Sequence, residues 1–330
     1  MPELILRDAK ATIYRLSLPT PFPVGDVNCY LIRGAEVGLV DTGCASASSR
    51  RALEQQLAAL GIGLDQVRTV VVTHHHPDHI GGVAALCRRG AELLLPRRTV
   101  EQRSNDPALN EVMYRFLSSL GAPAMRLEAW RRYQKQALDQ ASADDGACRG
   151  SRTLADGETV SVGGIELRTL ATPGHALDHM CYLDPVRGIA FSGDHLLTDI
   201  TPNPVLSFDA EQGYRRRRSL VEYIASLDRL ARWRPRLALG GHGIPAADPM
   251  ALIAYNREFI AQRSGAYREA IGAGECVPVF ELGCRIFGER DDANMFLATS
   301  ETVGYLDLLQ DQGAIELVDR DGILCVTASR

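Results

Sequence analysis

Lysine is almost missing from this chain: Lys10 and Lys135 are the only two, so its positive charge is carried by arginine. That bias has no functional reading of its own. Also missing is any apolar run near the roughly 20 residues that a bilayer-spanning helix requires, so no membrane span is expected. The first residues, Met1-Pro-Glu-Leu-Ile-Leu-Arg-Asp, have neither a basic start nor an apolar stretch ahead of a small-residue cleavage site. A cytoplasmic location is the expectation. The eight cysteines include no CxxC pair and no dense framework, so disulfides are not expected in a chain of this size. Cys44 lies near a motif described below and reads as small buried filler. The net charge of −5 argues against a general nucleic-acid binder. There is no internal repeat and no low-complexity tract.

What is present is an ordinary globular composition, 45% hydrophobic and 23% charged over 330 residues. That length suits one large domain, or one of roughly 200–250 residues with a small appendage. Residues Ala11–Leu18, Asn28–Ile32, Gly38–Asp41 and Thr69–Thr73 read as strands, and Ser46–Leu60 and Gly82–Arg89 as helices. From about 97 to 145 strand signal disappears, and Glu111–Leu120 and Ala129–Gln140 carry helical patterning, which marks a helical insertion. Strand signal resumes at Thr159–Val162, Glu166–Ala171 and Gly188–Phe191, followed by a helix at Ser219–Trp233 and a short strand at Leu237–Leu239. After that the chain turns helical over Met250–Ile271, then gives another helix and a hairpin near Ala314–Val326. A boundary near residue 250 follows, separating 1–250 from 251–330.

The eight histidines fall into four short stretches, and each stretch directly follows an expected strand. These are His74-His75-His76-Pro77-Asp78-His79, Thr172-Pro173-Gly174-His175 with His179 close behind, Ser192-Gly193-Asp194-His195, and Gly240-Gly241-His242-Gly243. Strand ends meeting at one edge of a sheet are where a rigid scaffold presents ligands from loops, so one site is expected. In extended backbone His74 and His76 point to one side and His75 to the other. Pro77 excludes helix immediately before it. Asp78 and His79 then face a second position as a helix begins, and Gly81-Gly82 permits close backbone packing. Imidazole and carboxylate ligands suit zinc, and also iron or manganese. A lone histidine is more often structural than a ligand. Seven ordered ligands are too many for one tetrahedral ion and suit two, with one carboxylate bridging.

The stretch Thr73–Gly82 resembles the HxHxDH signature of the metallo-β-lactamase superfamily, and Asp41-Thr42-Gly43, His175, Asp194 and Gly241-His242-Gly243 resemble its other motifs in the expected order. The resemblance runs from about residue 12 to 245. It implies an α/β fold, the αββα sandwich of that superfamily, here with a small C-terminal winged-helix-like domain. It further implies that His74, His76 and His175 hold one metal, that Asp78, His79 and His242 hold the other, and that Asp194 bridges them. Asp41 would orient a ligand from behind it, and His75, His179 and His195 would have supporting roles rather than direct coordination.

The implied reaction is hydrolysis, by hydroxide held between two divalent ions that also polarise the substrate. Asp78 and Asp194 are the carboxylates expected to matter most for it. The His-His-His run is similar to that of the glyoxalase II-like members, which cleave thioesters, and 192–197 with 200–204 resembles thioesterase-like bacterial members. An acyl thioester, such as one of coenzyme A, is the leading substrate. The insertion would form a lid whose Arg97, Arg98, Arg103, Arg115, Arg126, Arg131 and Arg132 could attract an anionic carrier, although a solvated helix face is the simpler reading. Arg215–Arg218 is expected to open a helix and not to form an anion site. A phosphodiesterase or endoribonuclease, a lactonase, and a non-enzymatic metal-binding sensor are the alternatives. Residues 251–330 hold 7 arginines, no lysine and 13 acidic residues, which opposes nucleic acid; covering the cleft or contacting a second copy in a homodimer suits that segment better.

Overall fold

The computed structural model describes residues 1–100, 106–141, 151–272, 274–288, 290 and 292–329; Arg103 lies outside them. Strands β1 (Glu3–Arg7), β2 (Thr12–Leu18), β3 (Val27–Arg33) and β4 (Val37–Val40) pair antiparallel in that order. Helix α1 (Ala47–Ala59) carries the chain to β5 (Val67–Val71), which lies parallel to β4. Short helices α2 (Pro77–Ile80) and α3 (Val83–Cys87) lead to β6 (Glu92–Pro96). Then α4 (Pro107–Ser119) and α5 (Ala124–Ala141) precede β7 (Arg152–Leu154), which completes a seven-stranded sheet.

A second sheet is built from β8 (Thr159–Val162), β9 (Ile165–Ala171), β10 (Met180–Asp184) and β11 (Ile189–Gly193), all antiparallel. A small hairpin, β12 (Phe208–Asp209) with β13 (Arg215–Arg216), and helix α6 (Ser219–Trp233) follow before β14 (Leu237–Gly240) joins parallel to β11. The remainder is α7 (Pro249–Ile271), β15 (Val277–Pro278), α8 (Val279–Phe287), α9 (Asp292–Asp311), β16 (Ile315–Arg320) and β17 (Ile323–Ala328), with the three strands in one sheet.

Period-two alternation explains the layering. On β3, Tyr30 and Ile32 face inward and meet Tyr182 and Phe191 of the second sheet, while Cys29 and Leu31 face α1 and α3 through Leu53, Leu57, Val83 and Leu86. On β10 and β11, Cys181, Leu183 and Ala190 turn outward onto Leu220, Tyr223 and Leu227 of α6. The result is helix, sheet, sheet, helix: the expected αββα sandwich. The outer core continues without a break into Leu117 and Trp130 of α4 and α5 and into Tyr267, Val279 and Leu309 of the C-terminal segment. Trp130 stacks on Phe296 of α9 at 5.1 Å, which joins the helical insertion to that segment. Among the described residues no helix is long and apolar enough to cross a membrane.

The arginine run behaves differently from expectation. It precedes α6 instead of opening it, because Arg215 and Arg216 form β13 and Arg218 is the residue before the first helical turn. Arg216 makes a two-pronged pair with Asp307 of α9 at 2.6 Å for each bond, and Arg218 reaches Asp311 at 2.7 Å. Arg217 pairs with Glu222 at 2.6 Å. In the insertion, Arg115 and Arg131 both pair with Glu111, at 2.8 and 3.2 Å, so much of that charge is spent locally.

Helix α1 offers a stability test away from the strand ends. Leu57 is fully buried, and the side chain of Ser46 caps the helix by accepting from Ser49 N–H at 3.2 Å. Leu57→Ala is expected to cost about 2–5 kcal/mol and Ser46→Ala about 1 kcal/mol, read as shifts in the urea midpoint. Equal effects of the two substitutions would contradict this packing.

Candidate metal centre

The site begins with a backbone that glycine would normally occupy. Asp41, directly after β4, has φ +62°, a conformation that non-glycine residues adopt rarely and that Asp tolerates better than most. Held that way, its carboxylate accepts from Thr73 N–H at 2.7 Å and from the Thr73 hydroxyl at 2.9 Å, and faces His79 Nδ1 at 2.8 Å. One side chain thus fastens both ends of the histidine stretch. Between them the chain is extended, with His76 at φ −61°, ψ 143°, until Pro77 starts α2.

The rear partners decide which ring nitrogen faces inward. A carbonyl can only accept, so His175 Nδ1–H donates to Asn203 O at 3.0 Å and His242 Nδ1–H to Asp26 O at 2.8 Å. His79 donates likewise to Asp41. The Thr73 hydroxyl is committed to Asp41 as a donor, so it accepts from His74 Nδ1–H at 3.0 Å. In all four rings Nδ1 carries a proton, which leaves Nε2 as the nitrogen that can face a metal ion. His76 is turned the other way: its Nδ1 lies 2.9 Å from His175 Nε2.

These atoms meet. The ligand atoms of His74, His76 and His175 lie within 4.8 Å of one another, as do those of Asp78, His79 and His242, and those of His74, His79 and Asp194. Asp194 stands between the groups, with Oδ1 3.3 Å from His79 Nε2, and Oδ2 3.4 Å from His175 Nε2 and 3.6 Å from His242 Nε2. His74 Nε2, His79 Nε2, His242 Nε2 and Asp194 Oδ1 are buried and have no hydrogen-bond partner. Each such group costs about 1–3 kcal/mol when left unsatisfied. Lone pairs aimed at a common centre are what a cation satisfies, so these clusters suit a pair of metal ions.

Charge follows the same geometry. Burial pushes the His74 and His76 pKa values well down, helped by neighbouring imidazoles. Burial acts the same way on His79, but Asp194, Asp41 and Asp78 outweigh it and hold that ring well above its ordinary value. His242 is raised against burial by Asp194 and Asp78. Burial opposes ionisation of Asp194, yet His79 and His242 keep its carboxyl well below the usual range.

The supporting residues divide. His179 donates from Nδ1 to Thr172 Oγ1 at 2.8 Å, and its Nε2 accepts from the backbone N–H of Asp194 at 3.1 Å, so it positions that carboxylate. His75 points away, as the extended spacing predicts, and pairs with the buried Asp178 at 2.7 Å; Asp178 also accepts from Thr99 at 2.5 Å. His195 is buried against the Tyr223 ring at 4.8 Å with neither nitrogen partnered, and burial pushes its pKa down to about 3. It lies behind the site. Gly241 is required by proximity, since a Cβ there would run into Asp194 Oδ1 and His79 Cε1. Cys44 is buried and its thiol is pushed up to about 12 by desolvation, which makes it inert. Sequence reasoning did not single out Thr73, Thr172, Asp178 or the carbonyls of Asp26 and Asn203. Only Thr73, adjoining the histidines, carries a local signal.

The model of the metallo-beta-lactamase superfamily matches residues 22–242. A relative named "Probable metallo-hydrolase YqjP" from Bacillus subtilis (strain 168) is 31% identical over 308 residues, covering 92% of this chain and 93% of that protein. "Thioesterase pkgB" from Emericella nidulans is 26% identical over 251 residues, 76% of this chain but 55% of that longer protein. Among solved structures, a metallo-beta-lactamase family protein from Thermus thermophilus superposes with a TM-score of 0.81 at 29% identity, covering 96% of this chain and 98% of that one. A match over well over half the chain, ending on His242, means that this chain belongs to the metallo-beta-lactamase superfamily.

Proposed function

We propose that this protein is a dinuclear metal-dependent hydrolase of acyl thioesters, such as acyl-coenzyme A. His74, His76 and His175 would hold one ion and Asp78, His79 and His242 the other, with Asp194 standing between the two groups. Zinc suits this donor set first, with iron or manganese also compatible. When bound, such a pair supplies Lewis acidity and makes water nucleophilic near neutral pH. The chain's own part is to keep the donors aimed: Asp41, Asn203 and Asp26 fix the Nδ1 protons, and His179 fixes the Asp194 backbone.

The observation that carries the substrate class is what the cluster lacks. Every group converging on it is committed as a metal donor. Asp194 and Asp78 are held ionised, and His74, His76 and His175 are pushed toward neutrality. With both ions in place, no protonated acid is left over among them to assist a poor leaving group. A thiolate departs without that help, because its conjugate acid has a pKa of only about 8.5. The relatives named as thioesterases support the same reading. The net charge of −5 opposes a nucleic-acid substrate.

Replacing Asp194 with Asn is expected to lower the metal content from two ions per chain to one and to reduce thiol release from acyl-coenzyme A by about a hundredfold or more. Metal analysis and a thiol-trapping assay check this; full activity in a metal-stripped sample would overturn the proposal. A second expectation concerns pH. Raised pKa values at His79 and His242 mean that protons compete for that group as pH falls, whereas His74 and His76 stay neutral further into acid. Ion loss on acidification should therefore begin at Asp78, His79 and His242. Dialysis at about pH 8 should leave two ions and dialysis near pH 5.5 about one; simultaneous loss of both would contradict the assignment.

A further inference from the structure

A pocket of about 300 Å³ lies between the loop that follows Asp194-His195 and the C-terminal segment. Pro202 and Asn203 form one wall; Phe287 at the end of α8, Arg290 beyond it, and Leu297 and Glu301 of α9 form the other. Its position is tied to the metal centre by one hydrogen bond, because the Asn203 carbonyl that lines this region also accepts from His175 Nδ1 at 3.0 Å. The two walls are seated firmly on each other. Gly304 of α9 sits so close that an added Cβ would lie 3.0 Å from Leu220 Cβ and 3.6 Å from Pro204 Cγ.

The chemistry of the walls is mixed in a particular way. Phe287, Leu297 and Pro202 are apolar, and the Glu301 carboxylate, 3.3 Å from Arg263, is an acceptor set among them. Among the described residues Arg290 pairs with no carboxylate, and its guanidinium is the cationic group of this pocket. An occupant should therefore carry apolar and amide portions in alternation and end in a phosphate. The volume of about 300 Å³ is at the lower end of the range for small-molecule sites.

We propose that this pocket holds the 4′-phosphopantetheine arm of the thioester substrate, with its phosphate on Arg290 and its dimethyl and amide portions between Pro202, Asn203, Phe287, Leu297 and Glu301. This rests on the thioesterase reading for its substrate, and makes the C-terminal segment part of the substrate site. The same arm occurs on coenzyme A and on acyl carrier proteins, so the pocket accommodates either source.

Non-hydrolysable S-hexyl thioethers of coenzyme A, 4′-phosphopantetheine and pantetheine test it by calorimetry on the metal-loaded protein. The two phosphorylated ligands should bind with similar affinity, and pantetheine about tenfold more weakly. Arg290→Ala should abolish that difference, and Leu297→Trp, at a position 37% exposed, should weaken all three about tenfold by filling the pocket. Equal binding of all three ligands with no effect of either substitution overturns the proposal, as does no binding at all. Hexanoyl-N-acetylcysteamine, which lacks the phosphate half of the arm, separates the two ideas. If it is hydrolysed while the thioethers do not bind, the pocket assignment fails and the thioesterase reading stands. If the thioethers bind but no hexanoyl thioester is cleaved, the reverse holds. Faster turnover of hexanoyl-coenzyme A than of a hexanoyl carrier protein identifies the free coenzyme as the source, and the opposite order identifies the carrier protein.

Discussion

A buried imidazole nitrogen with nothing to bond destabilises a fold, and this protein gathers three of them beside an unpartnered carboxylate oxygen at the ends of its strands. Such an arrangement persists only if something holds the rings in place and something else satisfies them. Asp41 holds the longest histidine stretch, from a left-handed backbone that spends conformational energy to reach Thr73 and His79 together. A pair of cations is suited to satisfying the nitrogens. The rest of the architecture can be understood as the rigid frame that keeps this arrangement from relaxing.

That frame is rigid for ordinary reasons. Three apolar layers separate two helical and two sheet layers, and strand alternation assigns each side chain to one of them. Loops leaving one edge of such a sandwich have little freedom, because backbone hydrogen bonds run between them: Met180 N–H donates to Thr73 O at 2.8 Å and Gly241 N–H to Gly193 O at 2.8 Å. These loops therefore support each other.

The C-terminal segment is bound to this frame by polar as well as apolar contact. Asp307 is almost fully buried, and Arg216 meets it with two parallel bonds, the geometry in which a desolvated pair best recovers its cost. Arg218 adds bonds to Asp307 O and Asp311. Placing α9 accurately matters if one of its faces lines the substrate pocket. An arginine run expected to open a helix is instead a clasp.

The histidine stretches were legible in the sequence because ligand spacing is local: three residues of extended chain, a proline and the first turn of a helix settle where His74, His76, Asp78 and His79 can point. Most strands were legible too, through β-branched or alternating runs. Strand β6, written Glu-Leu-Leu-Leu-Pro, and β10, written Met-Cys-Tyr-Leu-Asp, were not, because short runs without alternation match helix and strand equally well. What only the tertiary structure decided is which nitrogen of each ring faces the centre. Asp26 and His242 are 216 positions apart, and Asn203 and His175 are 28 apart. No pattern along the chain relates them, since a backbone carbonyl accepts a hydrogen bond whatever side chain it belongs to. The partners are chosen by how the two sheets stack, and the residue types are chosen by the chemistry; the sequence states the second openly and the first only through folding.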